Sequence, residues 1–286
     1  MTWIEIKHVS KQMSNFILGP IHLDIEPGTI AAFVGNNGSG KSTLLKMIMD
    51  FVHPTDGEIR ILGVPVQGDD EGWKKYVAYQ AQTQIGYDPF TGKDLKSLFA
   101  QTYIRWDDEI FYELIHLLEV NMDEKYSKLS PGEQQKLQIA LTIATNASIL
   151  ILDEPTSFMD MSSKNIFIDY LIDWVEKGEK IVIISSHQVD EVRKLADYIA
   201  VMHQGNLIGY FDKEELTERY QQFWFSSQPP EAPIPGEVAR GDLYIITNNT
   251  HITEAFLHRE SIPYMKKNTL ELAEIIAILI PKEKTN

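Results

Sequence analysis

A chain of 286 residues, 43% apolar and 23% charged, is long enough to bury a large core and has the composition of a soluble globular protein of one large domain or two smaller ones. Acidic residues outnumber basic ones by 41 to 26, a net charge of −15 that opposes loose binding to nucleic acid or to an anionic membrane surface. The absence of cysteine excludes disulfides, thiolate nucleophiles and cysteine metal sites, and neither a bilayer-spanning apolar run nor a secretion signal is present, which predicts a cytoplasmic protein.

In chain order, Ile4-Glu5-Ile6-Lys7-His8-Val9 and Ile21-His22-Leu23-Asp24-Ile25 alternate apolar and polar residues, predicting two half-buried antiparallel strands. Phe16 falls in the turn between them, where it either stacks on a nucleobase or packs as an ordinary turn aromatic. The run Ile30-Ala31-Ala32-Phe33-Val34 reads as a buried strand, and Leu44, Leu45, Met47, Ile48 and Phe51 recur at helical spacing. Between them lies Gly35-Asn36-Asn37-Gly38-Ser39-Gly40-Lys41-Ser42-Thr43, which fits G-x-x-x-x-G-K-[ST], the pattern of a loop that wraps nucleotide phosphates. Glycines let backbone N–H groups approach an anion, and the following helix N-terminus adds a partial positive charge. In that frame Lys41 reaches the terminal phosphates and Ser42 holds magnesium through its hydroxyl.

Asp56-Gly57 signals a turn before a strand over Glu58 to Leu62, and Tyr76 to Tyr79 reads as a short strand followed by a polar loop from Gln80 to Gly92. From Asp94 to about Asn121 the period becomes helical, with stripes at Leu95, Leu98 and Phe99 and at Ile110, Leu114, Leu117 and Leu118. Leu129-Ser130-Pro131-Gly132-Glu133 opens another helix; taken alone, Ser130 and Glu133 form an ordinary capping box with Pro131 at the first helical position. Ile149-Leu150-Ile151-Leu152 has the unbroken apolar character of a central parallel strand and ends in Asp153-Glu154. Ligands of open α/β sheets bind at the carboxyl ends of the strands. Side chains alternate there, so Asp153 is expected to meet magnesium through water and Glu154 to polarise an attacking water. A second buried run, Ile181 to Ile184, leads to Ser185-Ser186-His187 and puts His187 within reach of a phosphate. Tyr198 to Met202 and Leu207 to Tyr210 read as a closing hairpin. The four prolines between Gln228 and Gly236 predict a linker or extended loop, followed by a strand at Leu243 to Ile246 and helices at Thr253 to Glu260 and Thr269 to Ile280.

Taken together, these stretches resemble the nucleotide-binding subunit of an ATP-binding cassette (ABC) transporter over about residues 1 to 220. In that resemblance residues 35–43 are the Walker A loop, Gln82 the Q-loop glutamine that contacts nucleotide and magnesium, and residues 129–133 the signature motif. Asp153 closes Walker B, Glu154 is the catalytic carboxylate, residues 157–160 are the D-loop and His187 is the switch histidine. The implied fold is α/β: a P-loop NTPase core with a mostly parallel sheet, an N-terminal antiparallel β layer and a helical insertion, plus a small C-terminal α+β extension. The implied domains are an ABC ATPase at 1–222, with its helical insertion at about 93–145, and a proline-rich linker with an accessory domain at 223–286.

The resemblance further implies an ATP- and magnesium-dependent ATPase in which two subunits, identical or paralogous, sandwich ATP between one phosphate loop and the other's Ser130 and Gly132. The partner is a separately encoded transmembrane permease, which places the chain at the cytoplasmic face of the membrane; no nucleic-acid partner is expected. A single cassette with a small extension points to an exporter, with an importer ATPase or a soluble regulatory or translation-associated ATPase as alternatives. Three departures stand out. Pro131 and Glu133 replace glycine and glutamine of the usual signature, Met13 stands where an adenine-stacking aromatic is usual, and Phe158 and Met159 are bulky for a D-loop.

Overall fold

The computed structural model describes residues 2–14 and 16–280. Contacts divide the chain into two compact units at Leu207/Ile208. The first unit opens with β1 (Ile4–Met13) and β2 (Phe16–Ile25), followed by β3 (Thr29–Val34), α1 (Lys41–Ile48), β4 (Asp56–Ile61), β5 (Val64–Pro65) and β6 (Val77–Gln80). The helical insertion is α2 (Gly92–Thr102), α3 (Asp108–Leu117) and α4 (Pro131–Ile143). Then come β7 (Ile149–Asp153), α5 (Met161–Glu176), β8 (Ile181–Ser186), α6 (Val189–Leu195), β9 (Tyr198–His203) and β10 (Asn206–Asp212), within which the division falls.

Two sheets arise from two kinds of sequence pattern. The alternating strands form the antiparallel layer β2-β1-β4-β5, with Ile4 and Ile6 buried while Glu5 is only partly covered. The unbroken apolar runs form the sheet β10-β9-β3-β8-β7-β6, parallel from β9 to β6. Ile149, Leu150, Ile151 and Leu152 of β7 are fully buried, as a strand covered on both faces requires. Each such side chain contributes at most about 1.5–3 kcal/mol, so these central strands fix the frame. β9 and β10 are joined by Gln204 and Gly205, both in the left-handed region, which is the two-residue turn that suits a twisted hairpin. That turn also receives Gly19 N–H on its Gly205 carbonyl and donates Gly205 N–H to Ser39 O, at 2.7 and 3.0 Å.

Several local expectations are corrected. Asp56 and Gly57 lie inside β4, because His8 of β1 bulges in the left-handed region and leaves backbone against which only glycine fits at position 57. Phe16 opens β2 opposite Met13 instead of sitting in a free turn.

The second unit contains α7 (Lys213–Arg219), β11 (Gln221–Trp224), β12 (Glu237–Arg240), β13 (Tyr244–Thr247), α8 (Thr250–Arg259), β14 (Lys266–Thr269) and α9 (Leu272–Leu279). Its antiparallel sheet runs β12-β13-β11-β14, and Phe223, Phe225, Ile234, Ile245 and Leu257 form its core. The proline-rich stretch lies inside this unit: Ile234 is buried, and the Arg240 guanidinium donates to the carbonyls of Pro230, Glu231 and Ala232. Thr269 ends β14 and does not begin the last helix, which starts at Leu272 behind a Glu271–Glu274 capping box.

Candidate functional site

Parallel pairing brings the carboxyl ends of β3, β8, β7 and β6 to one edge. Val34 lies beside Ser186, Asp153 beside Ser185, and Gln80 beside Leu152, so Gly35, His187 and Glu154 leave the sheet together. A Cβ at Gly35 would stand 2.2 Å from Met202 O on β9, so the loop can start this close to the sheet only without a side chain. Gly40 caps α1 at φ 105° and no side chain caps the helix, leaving its first N–H groups free for an anion.

Lys41 turns back under this loop, its Nζ donating to Gly35 O at 2.7 Å and to Asn36 O at 3.3 Å. Burial pushes its ammonium below the ordinary lysine range, and the carboxylates of Glu154 and Asp153 partly oppose that shift. A cavity of about 540 Å³ is lined by residues 37–43, Gln82 and Glu154, with Met13 and Phe16 forming an apolar end.

Asp153 is buried, and its Oδ1 accepts from Ser42 Oγ at 2.9 Å and from Ser185 Oγ at 2.6 Å. Serine hydroxyl and carboxylate are hard oxygen donors. Among the described residues no cluster of three or more His, Cys, Asp or Glu forms a metal cage. This donor set fits a magnesium ion that keeps its waters and is shared with nucleotide phosphates.

Glu154 sits in the left-handed region at φ 51°, a conformation that costs roughly 1–3 kcal/mol for a residue with a side chain. Its N–H donates to Ser185 O at 3.2 Å and Ser185 Oγ at 3.0 Å, so one buried serine holds both acids of the strand end. Its Oε2 accepts from Ser157 Oγ at 3.2 Å and lies 2.6 Å from His187 Nδ1. Both contacts fall on Oε2. His187 itself is half exposed.

Ser130 and Gly132 lie apart from this cluster, at the start of α4. The Glu133 carboxylate folds back to accept from Ser130 N–H at 2.9 Å and Ser130 Oγ at 2.7 Å, and these bonds hold it below the usual carboxylate range. A Cβ at Gly132 would meet Phe158 O at 2.8 Å, so the helix start rests against the segment after Glu154. Sequence reasoning gave no role to Ser185 or Thr156 and named Ser157 only within the D-loop; the available signal for Ser185 was a pair of serines ending an otherwise apolar strand.

A second cavity, about 560 Å³, lies between the sheet edge and the helical insertion, with Phe51, Tyr79, Gln84, Tyr87, Phe99 and Tyr103 among its lining residues. Burial pushes the Tyr87 hydroxyl up to about 12. Ile85 and Ile104, neighbours in sequence of Gln84 and Tyr103, are 91% and 95% exposed.

The ABC transporter family model matches residues 18–157. The ABC transporter ATP-binding protein YtrB of Bacillus subtilis is 28% identical over 76% of this chain and 74% of its own length. The bacitracin transport ATP-binding protein BcrA of Enterococcus faecalis is 27% identical over 77% of this chain and 72% of its own length. A putative ribose/galactose/methyl galactoside import ATP-binding protein of Pseudomonas syringae is 31% identical over 72% of this chain, which spans only 41% of that relative. Among solved structures, the dimeric ATP-binding cassette MJ0796 in a post-hydrolysis state with ADP and Pi shares the fold, with a TM-score of 0.65 at 23% identity over 73% of this chain and 98% of that one. The phosphate loop and strand-end acids thus stand on a cassette fold with relatives of the same kind, and the chain belongs to the ABC transporter family as an ATP-hydrolysing subunit.

Proposed function

We propose that this ATPase drives a separately encoded membrane permease by pairing with a second cassette around ATP, and that the transporter is an exporter. The observation that carries the reading is the convergence of the phosphate loop, Gln82, the Ser42–Asp153 pair and the Glu154–His187 pair on one sheet edge. Residues 35–43 cradle the phosphates by backbone N–H groups, and Lys41 exchanges its loop carbonyls for phosphate oxygens. Ser42, Asp153 and Gln82 are the groups that would hold magnesium, which when bound neutralises charge on the β- and γ-phosphates.

His187 and Ser157 occupy Oε2 of Glu154, which leaves Oε1 to take a proton from the attacking water. The His187 ring bonds Glu154 through Nδ1, which leaves Nε2 for a γ-phosphate oxygen. Phe16 or Met13 receives the base. In the paired state the start of α4 faces the other subunit's γ-phosphate, and Ser130 must give up its bond to Glu133 to contact it. The negative Glu133 therefore makes this end a weaker phosphate contact than a neutral residue would.

Gln82 lines the nucleotide cavity and Gln84 lines the aromatic cleft, so one short segment joins the phosphate site to the surface on which a permease would dock. No helix among the described residues is long and apolar enough to cross a membrane, so a membrane-spanning partner fits the reading. The bacitracin transport relative fits the exporter reading; the import relative supports an importer as the alternative, since the permease sets the direction.

The partner is tested by purifying the tagged chain from detergent-solubilised membranes. A stoichiometric polytopic protein is expected, and its loss in the variant I85K/I104K with ATP binding retained. Recovery with ribosomes and no membrane protein contradicts the reading.

A further inference from the structure

Beyond the groups that touch nucleotide, a closed polar ring joins the two segments that leave β7 and β8. Glu191, on α6, is 6% exposed, and its Oε2 accepts from Thr156 Oγ1 at 2.6 Å and from Ser186 Oγ at 3.3 Å. Its Oε1 pairs with Lys164 Nζ of α5 at 2.9 Å, and Lys164 is only 9% exposed. Lys164 Nζ also donates to Gln188 Oε1 at 2.6 Å, and Gln188 N–H donates to Ser186 Oγ at 3.0 Å. Thr156 stands two residues after Glu154, while Ser186 and Gln188 flank His187.

We propose that Glu191, held by Lys164, is a positioning residue for ATP hydrolysis that locks the segment carrying Glu154 to the turn carrying His187. This inference rests on the assignment of those two residues to the reaction. The strand pairings end at Asp153–Ser185 and Val34–Ser186; past them Glu154 N–H still holds to Ser185, but nothing in the ladder fixes the Glu154 side chain or the turn carrying His187. Glu154 is buried but holds a left-handed backbone, and His187 is half exposed, so polar contacts are needed to keep the pair in register. The ring supplies the constraint through both flanks of His187 and through the turn after Glu154.

Stability is a poor reason for the ring. A buried ion pair loses hydration on folding, and well-packed apolar residues of similar volume often serve a fold equally well or better. Geometry is the better reason, because displacing a reacting group by about 1 Å lowers rate by on the order of 10²-fold.

The test uses the full chain and its basal ATPase activity. Thr156→Val keeps the volume and removes the hydroxyl, Thr156→Ser restores it, and K164M/E191M replaces the buried pair with apolar side chains of similar size. Thr156→Val and K164M/E191M are expected to lose roughly 10- to 100-fold in kcat with KM for ATP within about 3-fold, and Thr156→Ser to recover most of the rate. K164M/E191M is expected to melt close to the parent, which separates positioning from folding. Wild-type kcat in both Thr156→Val and K164M/E191M overturns the proposal, as does a loss of kcat only in step with ATP binding and melting temperature. Glu154→Gln is measured alongside: if it retains turnover, the assignment of the base fails; if it alone loses turnover, only the role of Glu191 fails.

Discussion

Glu154→Gln is expected to hydrolyse ATP roughly 10²- to 10⁴-fold more slowly than the parent, about 3 to 5 kcal/mol in activation free energy, while still binding ATP. The amide has the size of the carboxylate, and its carbonyl oxygen can still accept from Ser157 Oγ and bond His187. The group lost is the basic oxygen proposed to take the water proton. The phosphate loop is untouched, and a neutral side chain reduces repulsion toward a polyphosphate in the cavity that Glu154 lines. Phosphate release and equilibrium binding of a fluorescent ATP analogue separate the two effects. Near-normal turnover contradicts the assignment of Glu154 as base.

Lys41→Met is expected to act on binding first, weakening ATP affinity by on the order of 10²-fold or more. Truncating one partner of a desolvated charge pair costs about 2–5 kcal/mol, and Lys41 is the cation at the centre of the loop. Stability should move the other way. Burial holds the Lys41 ammonium below the ordinary lysine range, so the apo fold is destabilised by keeping it charged at neutral pH. Methionine fills the same space without that desolvation, and the two carbonyl contacts it loses are modest. The apo variant is therefore expected to melt no lower than the parent while its ATP titration collapses. Unchanged affinity, or a variant that fails to fold, contradicts this account of Lys41.

The parallel core was legible because its strands are unbroken apolar runs ending in polar residues, and a parallel sheet puts all those ends on one edge. Gly35, Asp153, Glu154 and His187 meet there for that reason alone. The second unit was harder to read. Gln221-Gln222 of β11 and Lys266-Lys267-Asn268-Thr269 of β14 carry few apolar side chains, and every residue of β14 is exposed, so no alternation marks it as a strand. Thr269 resembles a helix cap before Leu270 and Leu272, but it is drawn into the sheet by pairing with Gln221, and Glu271 takes the capping role. Ser130 shows a different limit: its capping box is real, and the same bonds occupy the groups proposed to face a second nucleotide. Ser185 and Glu191 were silent in the sequence because a serine at a strand end and a glutamate on a short helix look solvated until packing buries them.

Pairing around ATP is tested most directly by the mass of the purified Glu154→Gln chain in solution, with ATP and magnesium compared against ADP. A dimer with ATP and a monomer with ADP is the predicted result; a monomer in both, with ATP stoichiometrically bound, contradicts pairing of this chain with itself through the Ser130 end of α4.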